Sequence, residues 1–163
     1  MKSNAVVLIV ALVGLLAGAL AQNSSGTPEQ NKRVVAQFIA AINAQDFNAL
    51  DALVATDYQQ NNGLPSGLIA LKTQILPANY AAFAGFEIAV NDLIAEGDRV
   101  VGRVTVRGTQ RADYFGTPSQ GRHFESGVIH IWRLKAGKIA ENWNETDRLS
   151  FPQQLGALPS TPR

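Results

Sequence analysis

The sequence predicts an α+β protein in which helices come first and an antiparallel meander follows. Three observations carry this. Apolar residues recur at helical spacing between Pro28 and Phe83, they alternate at strand spacing after Gly85, and short turns such as Glu96-Gly97-Asp98 and Ala136-Gly137 separate the strand-like runs. The 163 residues suffice for one domain with a core, and hardly for two. A hydrophobic content of 46% with 17% charged residues fits a globular chain and excludes a disordered one.

The first stretch has its own character. Lys2 is the only charge before Glu29, and an apolar run from Ala5 to Leu20 follows it. Ala19-Leu20-Ala21 before Gln22 has the A-x-A form of a cleavage site. Residues 1–21 therefore read as a signal peptide cleaved after Ala21, which predicts a secreted or periplasmic protein. The other reading is a membrane anchor. The run is short for a span, which needs roughly 20 apolar residues, and Gly14 and Gly18 interrupt it.

The formal charge of +1 includes Lys2, so the part after Ala21 is neutral. A neutral domain offers no electrostatic footprint for nucleic acid or for an anionic membrane, and a small or neutral partner fits better. There is no cysteine, which excludes disulfides, thiolate catalysis, thiolate metal sites and a lipoprotein anchor.

The elements follow in order. Residues 22–27 form a polar linker. Thr27, Pro28 and Gln30 have the spacing of a capping box with proline in the first turn, and Val34, Val35, Phe38, Ile39 and Ile42 share one face of a helix from Pro28 to Ala44. Asp46 opens a short second helix with Leu50, Leu53 and Val54 on its apolar side. Thr56 to Ser66 reads as a loop. A third helix starts near Gly67 and is expected to break near Pro77, with residues 80–83 as a separate turn.

Phe86, Ile88 and Val90 alternate in the first strand, and Leu93 and Ile94 follow with the phase shifted. The next strand puts Val100, Val104 and Val106 on one face. A long connection, Ala112 to Gln120, precedes strands from Arg122 to Leu134 and from Lys138 to Glu145. Pro152 to Arg163 is polar, contains proline, and is expected to fray.

Several segments together resemble the SnoaL-like polyketide cyclases of the nuclear transport factor 2-like superfamily. They are Asp46 to Leu53 after the first helix, Asp57-Tyr58, Leu93 to Val101, Phe115-Gly116-Thr117-Pro118 with Gly121-Arg122, Gly137 to Asp147 with Trp143, and Gln154-Leu155-Gly156. Their order and spacing span Asn31 to Gly156. The resemblance implies a cone-shaped, strongly curved antiparallel sheet wrapped around the N-terminal helices, an α+β barrel occupying residues 28–156 with a tail at 157–163. It implies a pocket inside the cone for a small hydrophobic molecule, and a homodimer through the outer face of the sheet.

Strand alternation groups Val128, His130 and Trp132 on one face and Asn142 and Asn144 on another. The resemblance turns the faces with His130 and Asn144 into the cone. His130 matches a pocket histidine, a residue able to exchange protons near neutral pH. Asn144 matches the cyclases' catalytic aspartate, which removes a proton beside a carbonyl so that the enolate closes a ring. An amide only hydrogen-bonds, so residue 144 is not expected to remove that proton.

Two further departures are Asn61, where relatives often carry histidine, and Val128, where the cyclases can carry glutamine. Tyr58, Phe83, Phe115 and Trp132 are candidate pocket aromatics. Asp147 reads as a cap for the segment after the last strand. An epoxide hydrolase would need an Asp-Arg-Asp set that these strands do not supply. His123 and His130 are seven apart, hence on opposite faces, and cannot share a metal ion. No metal and no organic cofactor are expected. Two functions compete: a cyclase- or isomerase-like enzyme with His130 and Asn144 as its working groups, and a non-catalytic exported binding protein using the same pocket.

Overall fold

The computed structural model describes residues 26–114 and 116–159. The predicted signal peptide, most of the linker, Phe115 and the last four residues lie outside them. Helix α1 (Pro28–Asn43) begins with the expected capping box. The Thr27 hydroxyl accepts from the Gln30 amide, and the Gln30 side chain accepts from the Thr27 amide. Val35, Phe38, Ile39 and Ile42 are buried along one stripe, each contributing roughly 1.5–3 kcal/mol of transfer free energy. The end of α1 is tied to the sheet by Asn43, which both donates to and accepts from the Ile88 backbone.

A short helix α2 (Leu50–Leu53) leads directly into strand β1 (Val54–Gln60). This corrects the loop expected over Thr56 to Ser66. Val54 and Tyr58 are buried four positions apart, but the positions between hold Ala55, Thr56 and Asp57, with no apolar residue at the alternating position 56. The strand forms because it finds a distant partner: it pairs parallel with the last strand. Local hydropathy carries no trace of such a pairing.

The expected break at Pro77 is also corrected. Helix α3 (Leu68–Ala70), a π-helical turn (Leu71–Ile75) and α4 (Leu76–Ala82) follow one another without interruption. Proline lacks the amide that an α-helix interior needs; here it sits in the first turn after a wider π segment, where that loss is tolerated.

Strands β2 (Phe83–Glu96), β3 (Arg99–Gln110), β4 (His123–Lys135) and β5 (Lys138–Thr146) form the meander. Phe83 begins β2 rather than ending the helix. The phase shift expected near Leu93 is a register shift between Val90 and Asp92. Gly97 and Gly137 take positive φ in the two predicted turns. The sheet order is β1-β5-β4-β3-β2. It is curved and mixed, antiparallel except for β1, and it stays open between β1 and β2.

Helix α5 (Ser150–Leu155) corrects the frayed end read from residue 152 onward. Leu155 is buried, Gly156 closes the helix in the left-handed region, and Asp147 accepts from the Leu149 and Ser150 amides. Those two amides also hold the Asp147 carboxyl below its ordinary value.

The sheet has two unlike faces. Val100, Val104, Trp132 and Leu134 point inward against α1 and α2. Outward lie charged pairs, Arg107 with Glu87 and Arg133 with Glu141. Between them a continuous apolar row, Ile94, Val101, Ile131 and Trp143, crosses four strands in register.

Candidate functional site

The concave face and the helices enclose a cavity of about 430 Å³. Period-2 alternation along β4 and β5 decides which side chains enter it: Phe124, Ser126, Val128, His130 and Trp132 from β4, and Asn142, Asn144 and Thr146 from β5. Gln60 comes from β1, and Asn62 from the turn after it. Helices α1 and α4 with the π turn close the far side.

The two ends of the cavity differ in chemistry. At one end Phe83 is the hub of an aromatic cluster. Its ring lies 4.7 Å from Tyr114, 4.8 Å from Phe124 and 6.3 Å from Phe151, all edge-on. Phe151 stands on α5, which runs into the end expected to fray from Pro152 onward. The Tyr114 hydroxyl donates to Asn79 at 2.8 Å, and burial pushes its pKa up to about 12.

At the other end the polar groups form two chains of hydrogen bonds. In the first, the His130 Nδ1 and the Asn142 Oδ1 are 2.9 Å apart. The Tyr58 hydroxyl donates to Gln60, and Asn142 acts on Tyr58 to lower its pKa against the effect of burial. In the second, Asn62 Nδ2 donates to Asn144 Oδ1 at 3.3 Å, while Asn62 Oδ1 accepts from the Leu64 amide. His130 and Asn144 are direct cross-strand partners, so their side chains leave the sheet as neighbours.

His130 also stacks on Trp132, with centroids 4.9 Å apart and planes within 5°. The sheet makes room for this through Gly102, which lies opposite His130 in β3. A Cβ at residue 102 would come within 2.6 Å of the Trp132 ring.

Burial lowers the His130 pKa from its ordinary value, with the Asn142 bond opposing. Burial raises that of Tyr58, again opposed by Asn142. Both groups are therefore neutral at neutral pH. Among the described residues no Asp, Glu, Lys or Arg lines the cavity. The arrangement can solvate an apolar body and hydrogen-bond one polar head, and it has no ion to pair with a charged one.

Tyr58, Phe83, Val128, His130, Trp132 and Asn144 thus come together at one cavity. Asn61 does not reach it. Its side chain is exposed, because alternation sends Gln60 and Asn62 inward and residue 61 outward; its backbone amide instead donates to Asn142 O at 2.8 Å. Phe115 lies outside the described residues. His123 and His130 fall on opposite faces, His123 beside Thr109 on the outside. Asn142, Asn62 and Gln60 escaped the sequence reading as site residues. For Asn142 the signal was present, since it shares a face with Asn144. For the other two it lay in the unrecognised strand β1.

This fold and pocket belong to a known class. The sequence model of the SnoaL-like polyketide cyclase family matches residues 32–155, and the chain belongs to that family. Among solved structures, TsrD from Streptomyces laurentii is similar at 30% identity, covering 80% of this chain and 97% of TsrD, with a TM-score of 0.73. A SnoaL-like polyketide cyclase from Agrobacterium tumefaciens shares the fold at 21% identity and a TM-score of 0.69, over 77% of this chain and 98% of that one. An epoxide hydrolase from M. tuberculosis shares it at 19% identity and 0.64, over 81% and 93%. No match was found among curated proteins.

Proposed function

We propose that this chain is a SnoaL-like protein of altered chemistry that binds a small hydrophobic carbonyl compound in the cavity and moves a proton on it through His130. The observation that carries the reading is the lining itself: an apolar cavity with one imidazole at its polar end and no carboxylate among the described lining residues. Asn144 Oδ1 is engaged by Asn62, which leaves its Nδ2 to donate to a ligand carbonyl. His130 then takes a proton from the adjacent carbon. The C–H electron pair moves onto the carbonyl oxygen, and the amide stabilises the resulting enolate. Return of the proton to either end of the enolate completes an exchange or an isomerisation. No ring-closing step through residue 144 is part of this reading, because a carboxamide accepts no proton there. Water attack on an epoxide is not favoured either, since no Asp–Arg–Asp set lines the cavity among the described residues.

The test is deuterium uptake beside the carbonyl of 2-tetralone in heavy water. Wild type should accelerate it, His130→Ala should lose the acceleration, and Asn144→Asp should raise it by restoring a carboxylate. A second reading, a non-catalytic binding protein, is favoured by one observation, the carboxamide at residue 144. Binding of 2-tetralone without exchange in either wild type or Asn144→Asp would select it.

Two further proposals concern the chain's setting. Residues 1–21 are read as an export signal on the strength of Lys2, the apolar run and the A-x-A site; mature protein recovered outside the cytoplasm should begin at Gln22. The outer apolar row supports a homodimer through the sheet. Ile131→Glu should shift the mass in light scattering from dimer to monomer, and an unchanged mass would remove this interface.

A further inference from the structure

The polar chain around His130 has a direction. The Asn142 carboxamide lies between two groups and faces each with a different atom. Its Oδ1 meets His130 Nδ1 at 2.9 Å. Asn142 also lowers the pKa of Tyr58, as a hydrogen-bond donor would, while the Tyr58 proton is committed to Gln60. Oδ1 therefore faces the imidazole, as the 2.9 Å contact shows, and a donor on the Tyr58 side agrees with Nδ2–H turned the other way. Oδ1 has no proton to give, so the imidazole must present N–H at Nδ1. A neutral imidazole carries one such proton, and Nε2 is left as a bare lone pair. No described residue bonds Nε2, and His130 lines the cavity.

We propose that Asn142 is a positioning residue that fixes His130 in the Nδ1–H tautomer, so that Nε2 meets the ligand as a hydrogen-bond acceptor and selects molecules that present a hydroxyl or another acidic hydrogen at the polar end. This rests on the pocket reading for its use, but the tautomer is a property of the protein alone. Trp132 covers one face of the ring, Gly102 lies opposite in β3, and Asn144 is the neighbour in β5. Burial disfavours the imidazolium, and the Asn142 bond favours it, as a donor at Nδ1 requires.

The tautomer is read by long-range proton–nitrogen correlation spectra of the imidazole in uniformly labelled protein at neutral pH, without ligand. Wild type should show the proton on Nδ1 and a bare Nε2. Asn142→Asp should keep that pattern, because a carboxylate accepts at the same place. Asn142→Ala should move the proton toward Nε2. A proton on Nε2 in wild type overturns the proposal, whether or not the variants fold, and so does an unchanged tautomer in a folded Asn142→Ala.

The consequence for selection is read with 2-naphthol against 2-methoxynaphthalene, in which a methyl group replaces the hydroxyl proton. Wild type should favour the naphthol by roughly two- to tenfold, the range of one net hydrogen bond, and Asn142→Ala should lose the preference. Equal affinities in wild type overturn the selection claim. If neither probe binds while the spectrum shows Nδ1–H, the pocket reading of the previous section fails and the tautomer stands.

Discussion

The two ends of the cavity are built on different principles. At the aromatic end Phe83, Phe86, Phe124 and Phe151 are held by contact area, which is non-directional and tolerant of small shifts. At the polar end Tyr58, Asn142, His130, Asn62 and Asn144 are held by bonds that each need a specific atom in a specific place. The first end supplies stability and a place for an apolar body. The second supplies little net stability and decides what the body must carry. The difference implies that truncations at the first end unfold the protein, while isosteric changes at the second alter recognition in a protein that still folds.

The largest expected effect is at the aromatic hub. Phe83 is almost fully buried, and Phe83→Ala should cost about 3–5 kcal/mol in urea unfolding. A loss below about 1 kcal/mol would mean that the cluster is loosely packed and that the contrast is false. Next comes Gly102→Ala, at the polar end. Its methyl would strike the Trp132 ring that supports His130. Overpacking of this kind should cost about 1–3 kcal/mol and should also disturb the His130 ring resonances, while leaving those of Phe151 in place.

The smallest effect is a pH dependence. The folded His130 pKa is lowered by burial, so the unfolded chain binds that proton more readily. The stabilising contribution of the neutral imidazole is complete above the unfolded value of about 6.5 and is lost as pH falls through it toward the lower folded value. Between about pH 7 and about pH 5, wild type should lose melting temperature faster than His130→Gln. Parallel losses would place the imidazole in water rather than in the cavity wall.

The same contrast explains what could be read from the sequence. The helix of Val35, Phe38, Ile39 and Ile42, the alternation in β3 and β4, and the turns at Gly97 and Gly137 were legible because each is a local pattern. So was the grouping of Val128, His130 and Trp132. Strand β1 was not, because its hydrogen bonds go to a partner some 80 residues later in the chain and its inward Tyr58 and Gln60 are set among polar neighbours. With β1 went the placement of Asn61, since missing the strand hides which asparagine points inward. Phe151 was hidden by Pro152 beside it, a residue that also suits the first turn of a helix. The link from His130 to Asn142 was beyond periodicity altogether. It depends on which amide atom faces which ring nitrogen, and only coordinates specify that.

The claim on which the rest depends is that the cavity accepts an uncharged, apolar carbonyl compound. Isothermal titration with 2-acetylnaphthalene and with 2-naphthoate tests it most directly, since the two share a ring system and differ in the charge of the polar head. The ketone should bind and the carboxylate should bind at least about a hundredfold more weakly, because its charge would be buried with no cation to meet it. Naphthoate binding as tightly as the ketone, or only naphthoate binding, would contradict the account.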